Sequence, residues 1–273
     1  MEKDLFGNPV VLPPYHFEQP RFVPPNPPVL RHSLDGALLA RYQRGDHAAV
    51  WRDIQALGPL GGDLREEVLA VARSTMQRVA RNVDMLAERL AARGWQPLFG
   101  AFHPLPQAED AKVIAEIEHM TGARIPVVLE AFWGVVGGAC FIWDYNAGPM
   151  PELGLGVDLV DLDPLSFAEP EAMEMSLEQW KYRNEDQGVG GPYYVHIAPD
   201  RLTKASISGC EYLVELPVWH ADPVIEGDTC GLALTDYLRD AFAWGGFPGL
   251  GRIGAAPEIA LYVKEFAAGL EPF

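Results

Sequence analysis

Hydrophobic residues recur at helical spacing through the first third of the chain. Across 33–93, apolar positions follow one another at steps of three and four residues, the period of one buried helix face. Ser33, Asp46 and Asp63 each stand where a side chain can cap a following helix. We therefore predict two short helices and a long third one over 64–93.

Shorter apolar runs in the rest of the chain predict alternating helices and strands. A helix over 110–120 is expected to end at Gly122, and Pro126 stands at the first-turn position that proline favours in another helix. Residues 139–143 are continuously apolar and predict a buried strand. The other predicted elements are strands at 95–99, 193–197 and 212–216, and helices at 235–244 and 257–268.

Prolines dominate the beginning of the chain. Residues 1–30 contain eight of them, and proline fixes φ and lacks a backbone donor, which excludes a helix or a central strand. We predict an extended, polyproline-like arm over 1–32, whose interspersed apolar residues allow it to lie on the folded body. One hypothesis for this arm is that it recruits a partner protein.

Acidic residues are in excess, and the excess is localised. The chain has 38 acids against 21 lysines and arginines, a net charge of −17, yet residues 1–125 carry 15 acids and 14 bases. Residues 126–200 carry 13 acids and 2 bases. This balance argues against binding to nucleic acid or to an anionic membrane surface. It predicts either a soluble acidic face or a surface that attracts a basic partner protein.

The densest acidic stretch also contains regularly spaced apolar residues, which indicates a folded segment rather than a tail. In a complex, its carboxylates would meet lysines and arginines of the partner, and its aromatic rings would serve as anchors. Tyr193 and Trp219 are further aromatic candidates. The predicted partner-binding residues are Glu152, Asp158, Asp161, Asp163, Glu169, Glu171, Glu174, Glu178, Trp180 and Tyr182.

Sequence signatures of catalysis are missing from the chain. It contains neither a G-x-S-x-G nucleophile elbow nor an H-E-x-x-H metal motif, and its glycine pairs lack the dinucleotide fingerprint. We therefore predict no catalytic residue, no metal ligand and no cofactor. The alternative is an enzyme whose site is assembled only by the fold, around His196, Asp200, His220 and Asp222.

Cysteine usage and hydropathy bear on the compartment. Cys140, Cys210 and Cys230 are odd in number and show no C-x-x-C spacing, which favours reduced thiols in a cytoplasm. The first residues show no signal-peptide pattern. The apolar run 125–143 contains Glu130 and several glycines, so we expect a buried core element rather than a membrane span.

Residues 110–245 contain a characteristic order of elements. It begins with an amphipathic helix, a glycine turn, an aliphatic-proline pair, a second helix with an aromatic residue, and a glycine pair that leads into strands. The residues that form this order are 114–120, Gly122, Ile125-Pro126, Phe132, Gly137-Gly138, and later 195–200, 209–216 and 234–238. This order resembles the SMI1/KNR4 (SUKH) superfamily.

This resemblance implies an α+β domain over 96–273, with a mixed sheet packed by helices. The chain departs from a minimal member of the superfamily by an acidic insertion near 144–190. The helical segment 33–95 and the arm over 1–32 precede it. Many bacterial members of the superfamily are non-catalytic immunity proteins that neutralise a cognate toxin, often a nuclease, and others are intracellular scaffolds. The expected function is therefore toxin neutralisation in a bacterial cytoplasm, with a scaffold or a fold-assembled enzyme as alternatives. The sequence does not predict an oligomeric state.

Overall fold

A computed structural model describes residues 37–273, apart from 151, 152, 154, 155, 189, 229, 230, 254 and 255. The predicted arm, the Ser33 cap, Cys230 and the candidate residue Glu152 lie outside the described residues.

Three helices form the first part of the described chain: α1 (Leu38–Gln43), α2 (His47–Gln55) and α3 (Gly62–Ala92). The two short helices and the long one agree with the prediction, because periodic apolar positions define one buried face on each. Trp51 of α2 is buried and donates from Nε1 to Oγ1 of Thr75 on α3, at 3.1 Å. The amide of Leu38 in α1 donates to the carboxylate of Glu67 in α3 at 2.8 Å, so both short helices are fixed on the long one.

The remaining eight described helices precede, separate and follow the strands along the chain. They are α4 (Asp110–Thr121), α5 (Val127–Val135), α6 (Leu159–Leu162), α7 (Glu174–Lys181), α8 (Arg201–Lys204), α9 (Leu234–Ala243), α10 (Leu250–Ile253) and α11 (Pro257–Phe266). A 3₁₀ turn over Pro170–Met173 leads directly into α7. Helix α4 ends at Gly122, whose φ of 67° is the left-handed conformation that glycine adopts readily.

Four strands complete the described fold: β1 (Ala139–Cys140), β2 (Ser166–Phe167), β3 (Tyr193–Pro199) and β4 (Glu211–Leu216). They pair antiparallel as β1–β2 and β3–β4. The amide of Ala168 donates to the carbonyl of Ile197 at 2.8 Å, and this bond joins the two ladders. Alternate residues of β3 are buried, as expected for strands with one face on the core.

The strand predicted at 95–99 is wrong. Pro97 makes only a single antiparallel bridge, with Trp143, and the chain turns at Gly100. The amide of Leu98 and the carbonyl of Gln96 make the backbone bonds to residues 142 and 144, and Pro97 has no N–H to offer on the opposite edge. Trp95 is instead a core side chain, whose Nε1 donates to the carbonyl of Phe141 at 2.9 Å.

One hydrophobic core joins the helical segment to the strands. The buried apolar side chains form a connected cluster that extends from Leu38 to Phe273, and α3 packs along α5 within it. The apolar run 125–143 lies in this core, as predicted. None of the helices described is both long and apolar enough to cross a bilayer. The described residues form a mixed α+β fold.

The arginines on the other side of α3 hold the C-terminal segment. Arg81 forms two bonds of 2.6 Å to the carboxylate of Glu271, and Arg93 pairs with Glu265 at 2.6 Å. Arg89 donates to the carbonyl of Ala268 at 2.7 Å. These arginines therefore contact the far C-terminal end of the described chain.

Candidate functional site

A cavity of about 380 Å³ lies between the loop over 98–106 and the strands β1, β2 and β3. Most of its wall is apolar and includes Phe167, Ala168, Ala172 and Met173. Phe99 stands in the wall with 67% of its surface exposed. The volume falls within the range of pockets that accept small ligands or single side chains.

Two glycines between α5 and β1 allow the loop to approach the strand. The amide of Gly138 donates to the carbonyl of Pro104 at 2.9 Å. The amide of Cys140 donates to the carbonyl of Phe102, also at 2.9 Å. Gly137 has a φ of 85°, and a Cβ there would lie 2.5 Å from the Pro104 carbonyl oxygen. The Gly-Gly pair therefore ends the helix and also fixes one wall of the cavity.

Glu169 is a half-buried carboxylate in the cavity wall, directly after β2. Apart from its own backbone amide, its carboxylate has no hydrogen-bond or ion-pair partner among the described residues. Burial raises the pKa of Glu169 above its ordinary value, and the neighbouring carboxylates of Asp110 and Glu171 raise it further. The cavity wall thus holds an acid that lacks a cation.

His196 and Glu211 are the other ionisable residues in the cavity wall. They stand on the neighbouring strands β3 and β4, and Nδ1 of His196 contacts the carboxylate of Glu211. Glu211 therefore already has a partner, in contrast to Glu169.

Three predicted partner-binding residues form one exposed face, which we call the acidic face: Glu171, Glu174 and Glu178. Their spacings of three and four residues place them on one side of the 3₁₀ turn and α7. Met173 and Leu177 are buried on the opposite side. None of the three glutamates forms an ion pair with a described residue, so their charge is uncompensated.

The predicted aromatic anchors differ in their exposure. Tyr182 is 55% exposed at the end of α7, whereas Trp180 is partly buried and donates from Nε1 to the carbonyl of Gly191 at 3.1 Å. Tyr193 is buried, with its hydroxyl 2.8 Å from that of Ser176. Trp219 is 45% exposed, in a second cavity between 122–127 and 217–221.

The three predicted aspartates lie on a different element. Asp158 is exposed before α6 and Asp161 is half-buried within it, and α6 packs against α8 and α10. Helix α7, in contrast, packs against α4 and β3. The acidic segment is therefore divided between two parts of the fold.

Asp163 lies inside the protein and is not available to a partner. It is 1% exposed, and its carboxylate accepts from Nζ of Lys204 at 2.8 Å and from the hydroxyl of Tyr212 at 3.0 Å. Burial by itself raises the pKa of Asp163, but Lys204, Arg252 and Tyr212 together outweigh burial and lower it. The predicted binding residue is thus a structural one, because the fold supplies its cations internally.

The fold does not assemble the four residues of the enzyme alternative. His196 and His220 line different cavities. Asp200 accepts from the amide of Thr203 at 2.8 Å, and Asp222 accepts from the amide of Thr235 at 3.1 Å. Each aspartate therefore fixes the start of a helix. In the described ranges, no group of His, Cys, Asp and Glu side chains could hold a metal ion.

The cavity itself was not foreseen from the sequence. Its wall combines residues from five separate segments of the chain, and of the residues singled out in the sequence only Glu169 and His196 lie in it. The one signal in the sequence is Gly137-Gly138, because a glycine pair permits close backbone approach.

No protein-family model, no curated protein and no solved structure matches this chain.

Proposed function

We propose that this protein is a non-catalytic module that binds a basic partner protein through the acidic face and the cavity beside it. The observation that carries the proposal is the uncompensated charge of Glu171, Glu174 and Glu178, which protrude on one side of α7 next to the half-buried Glu169. An exposed apolar ring, Phe99, stands at the same cavity. Charge and apolar surface together are what protein interfaces combine.

The charge distribution favours rapid and selective association with a basic protein. Carboxylates of one sign on one face attract a cationic partner and repel acidic ones, which raises the association rate and enforces specificity. The effect is screened by salt, since the Debye length is about 8 Å at physiological ionic strength. Binding should therefore weaken as salt is added.

The finer proposal is an immunity protein of the SMI1/KNR4 type that neutralises a cognate toxin. It rests on the order of helix, Gly122, Ile125-Pro126, helix and Gly137-Gly138 along the chain. A nuclease toxin needs basic groups to hold phosphate, and an acidic inhibitor can occupy those groups. The scaffold alternative depends on the arm over 1–32 and stays a prediction.

The experiment uses the purified chain and a basic, toxin-like protein encoded beside its gene. Affinity is measured by calorimetry at two salt concentrations for the wild type and for a variant with Glu171→Gln, Glu174→Gln and Glu178→Gln. Three exposed charge contacts of about 0.2–1 kcal/mol each predict a loss of about tenfold and a weaker salt dependence.

The matched control changes three exposed glutamates on other helices, Glu66, Glu88 and Glu258, to glutamine. It alters the net charge equally but leaves the acidic face intact, so we expect affinity close to that of the wild type. Equal losses in the two triple variants would show that only net charge matters and would contradict the proposed interface. Failure of the wild type to bind any such basic protein would contradict the proposed function.

A further inference from the structure

We infer that the cavity beside the acidic face receives an arginine side chain of the partner, with its guanidinium group on the carboxylate of Glu169. This inference rests on the proposed function for the source of the arginine, a partner protein. The shape and charge of the cavity support an arginine ligand independently of that function.

The shape of the cavity suits a long side chain with a polar end. Its volume is about 380 Å³, and Phe167, Ala168, Ala172 and Met173 make much of its wall apolar. Arginine can place its methylene stem against such a wall while its charged end reaches a polar group. The exposed ring of Phe99 offers a face on which a guanidinium can stack.

The charges around the cavity select a cation. Glu169 has no cationic partner among the described residues, and the carboxylates that act on it, Asp110 and Glu171, have the same sign. Glu211 across the wall is already in contact with His196. A positively charged ligand would offset this repulsion and form a charge-assisted hydrogen bond, whereas a neutral or anionic ligand would not.

Arginine fits this site better than lysine. The guanidinium group is more weakly hydrated than an ammonium group, so it loses less on entering an apolar cavity. It can also donate two parallel hydrogen bonds to one carboxylate. The occupant is therefore a side chain that combines a long apolar stem with a planar, charged, bidentate donor.

The probe is N-acetyl-arginine amide, with N-acetyl-citrulline amide as its neutral isostere. Each is titrated into the ¹⁵N-labelled full-length chain and followed by amide chemical shifts. We expect the arginine probe to shift the amides of Ala168, Glu169 and Ala172, and the citrulline probe to bind about tenfold more weakly. Equal binding of the two probes, or shifts confined to other surfaces, would overturn the inference.

The variant Glu169→Gln should weaken binding of the arginine probe about tenfold, since it removes a charge-assisted contact. Glu258→Gln is the matched control, because it removes the same charge from an exposed position on α11, outside the acidic face, and should leave probe binding unchanged. Amide spectra of both variants verify that each is folded. Undiminished binding by Glu169→Gln would refute the assignment of the guanidinium to this carboxylate.

The two proposals fail separately. If Glu169→Gln keeps full affinity for the basic partner while the acidic-face triple variant loses it, the arginine inference is wrong and the proposed function stands. If the arginine probe binds as expected and no basic protein does, the proposed function is wrong while the cation chemistry of the cavity stands.

Discussion

Two carboxylates close in sequence have opposite environments. Asp163 is 1% exposed and is surrounded by Lys204, Tyr212 and Arg252, so that its pKa is lowered despite its burial. Glu169 is only half-buried, yet burial and two like charges raise its pKa. The first carboxylate stabilises the fold, whereas the second is left for a ligand.

Removing the cation from the buried pair should be costly. Lys204→Met deletes the ammonium that lies 2.8 Å from Asp163 and leaves a buried carboxylate with less compensation. We expect a loss of about 3–5 kcal/mol in the free energy of unfolding, measured by urea denaturation. The control is Lys181→Met on the exposed side of α7, which should change stability by less than about 0.5 kcal/mol. A loss below about 1 kcal/mol for Lys204→Met would contradict the structural role.

Glu169 should make stability depend on pH in a recognisable direction. Because its pKa is raised in the folded state, the folded protein holds this proton more tightly than the unfolded chain does. Its contribution to stability is therefore favourable at low pH and declines as the pH rises through the raised pKa. The charged and titratable groups around it are Asp110 on α4, Glu171 on the 3₁₀ turn, and His196 and Glu211 on β3 and β4.

We expect Glu169→Gln to be more stable than the wild type at pH 7, with a smaller difference at pH 4. The measurement is the free energy of unfolding at both values, with Glu178→Gln as the control. A difference that is larger at pH 4 than at pH 7 has the wrong sign and would contradict the account of Glu169.

At the scale of elements, α3 and the C-terminal segment are held together by contacts of unequal weight. Asn82 is fully buried, donates to the carbonyl of Glu271 at 2.9 Å and accepts from its amide at 2.7 Å. Arg81 binds the carboxylate of the same residue, but from an exposed position. The hydrogen bonds of the fully buried Asn82 matter more here than the charge of Arg81, because water and salt screen an exposed ion pair.

Asn82→Ala should therefore cost more than Arg81→Ala. The first change leaves two backbone groups of Glu271 without partners and is expected to lower the free energy of unfolding by about 1–3 kcal/mol. The second removes an exposed ion pair and should cost at most about 1 kcal/mol. Chemical denaturation of the two variants tests this order, and the reverse order would be inconsistent with it.

The glycine pair before β1 positions the cavity wall. Gly137→Ala would place a Cβ 2.5 Å from the carbonyl oxygen of Pro104 at a φ of 85°, so the loop over 98–106 must move. We expect a loss of at least about 1 kcal/mol in stability and weaker binding of the arginine probe.

Gly134 provides the control for this change. It lies in α5, and a Cβ there would meet nothing within 4 Å. Gly134→Ala should be neutral or stabilising, since alanine favours a helix interior more than glycine does. If the two glycine variants have the same stability and bind the probe equally, the proposed role of Gly137 is wrong.

At the scale of the molecule, the helical segment and the α+β part share one core. Helix α3 packs along α5, and the buried cluster extends across both. A fragment of residues 96–273 would expose the side of α5 that α3 covers. We expect this fragment to lack the single cooperative thermal transition of the full chain and to bind a hydrophobic dye. A sharp two-state transition of the isolated fragment would show that α3 is dispensable.

Local signals explain what could be predicted. Helices α3, α4, α5, α9 and α11 carry clear apolar periodicity, and glycine or proline marks an end of several of them. The prediction of a strand at 95–99 is wrong because the segment forms a single bridge, between Pro97 and Trp143, before the chain turns at Gly100. Helix α7 was not predicted, because its short apolar pattern stands among many charges.

The sequence by itself determined where the described helices of nine or more residues form and that the acidic excess lies after residue 125, since periodicity, end signals and charge are local properties. Only the tertiary structure decided which acids keep an uncompensated charge. Lys204 stands 41 residues from Asp163 in the chain, and Asp110 belongs to a different helix from Glu169, yet folding brings each to its neighbour. Burial and counter-charge depend on contacts between distant segments, and for that reason Asp163 is part of the core whereas Glu169 lines a cavity.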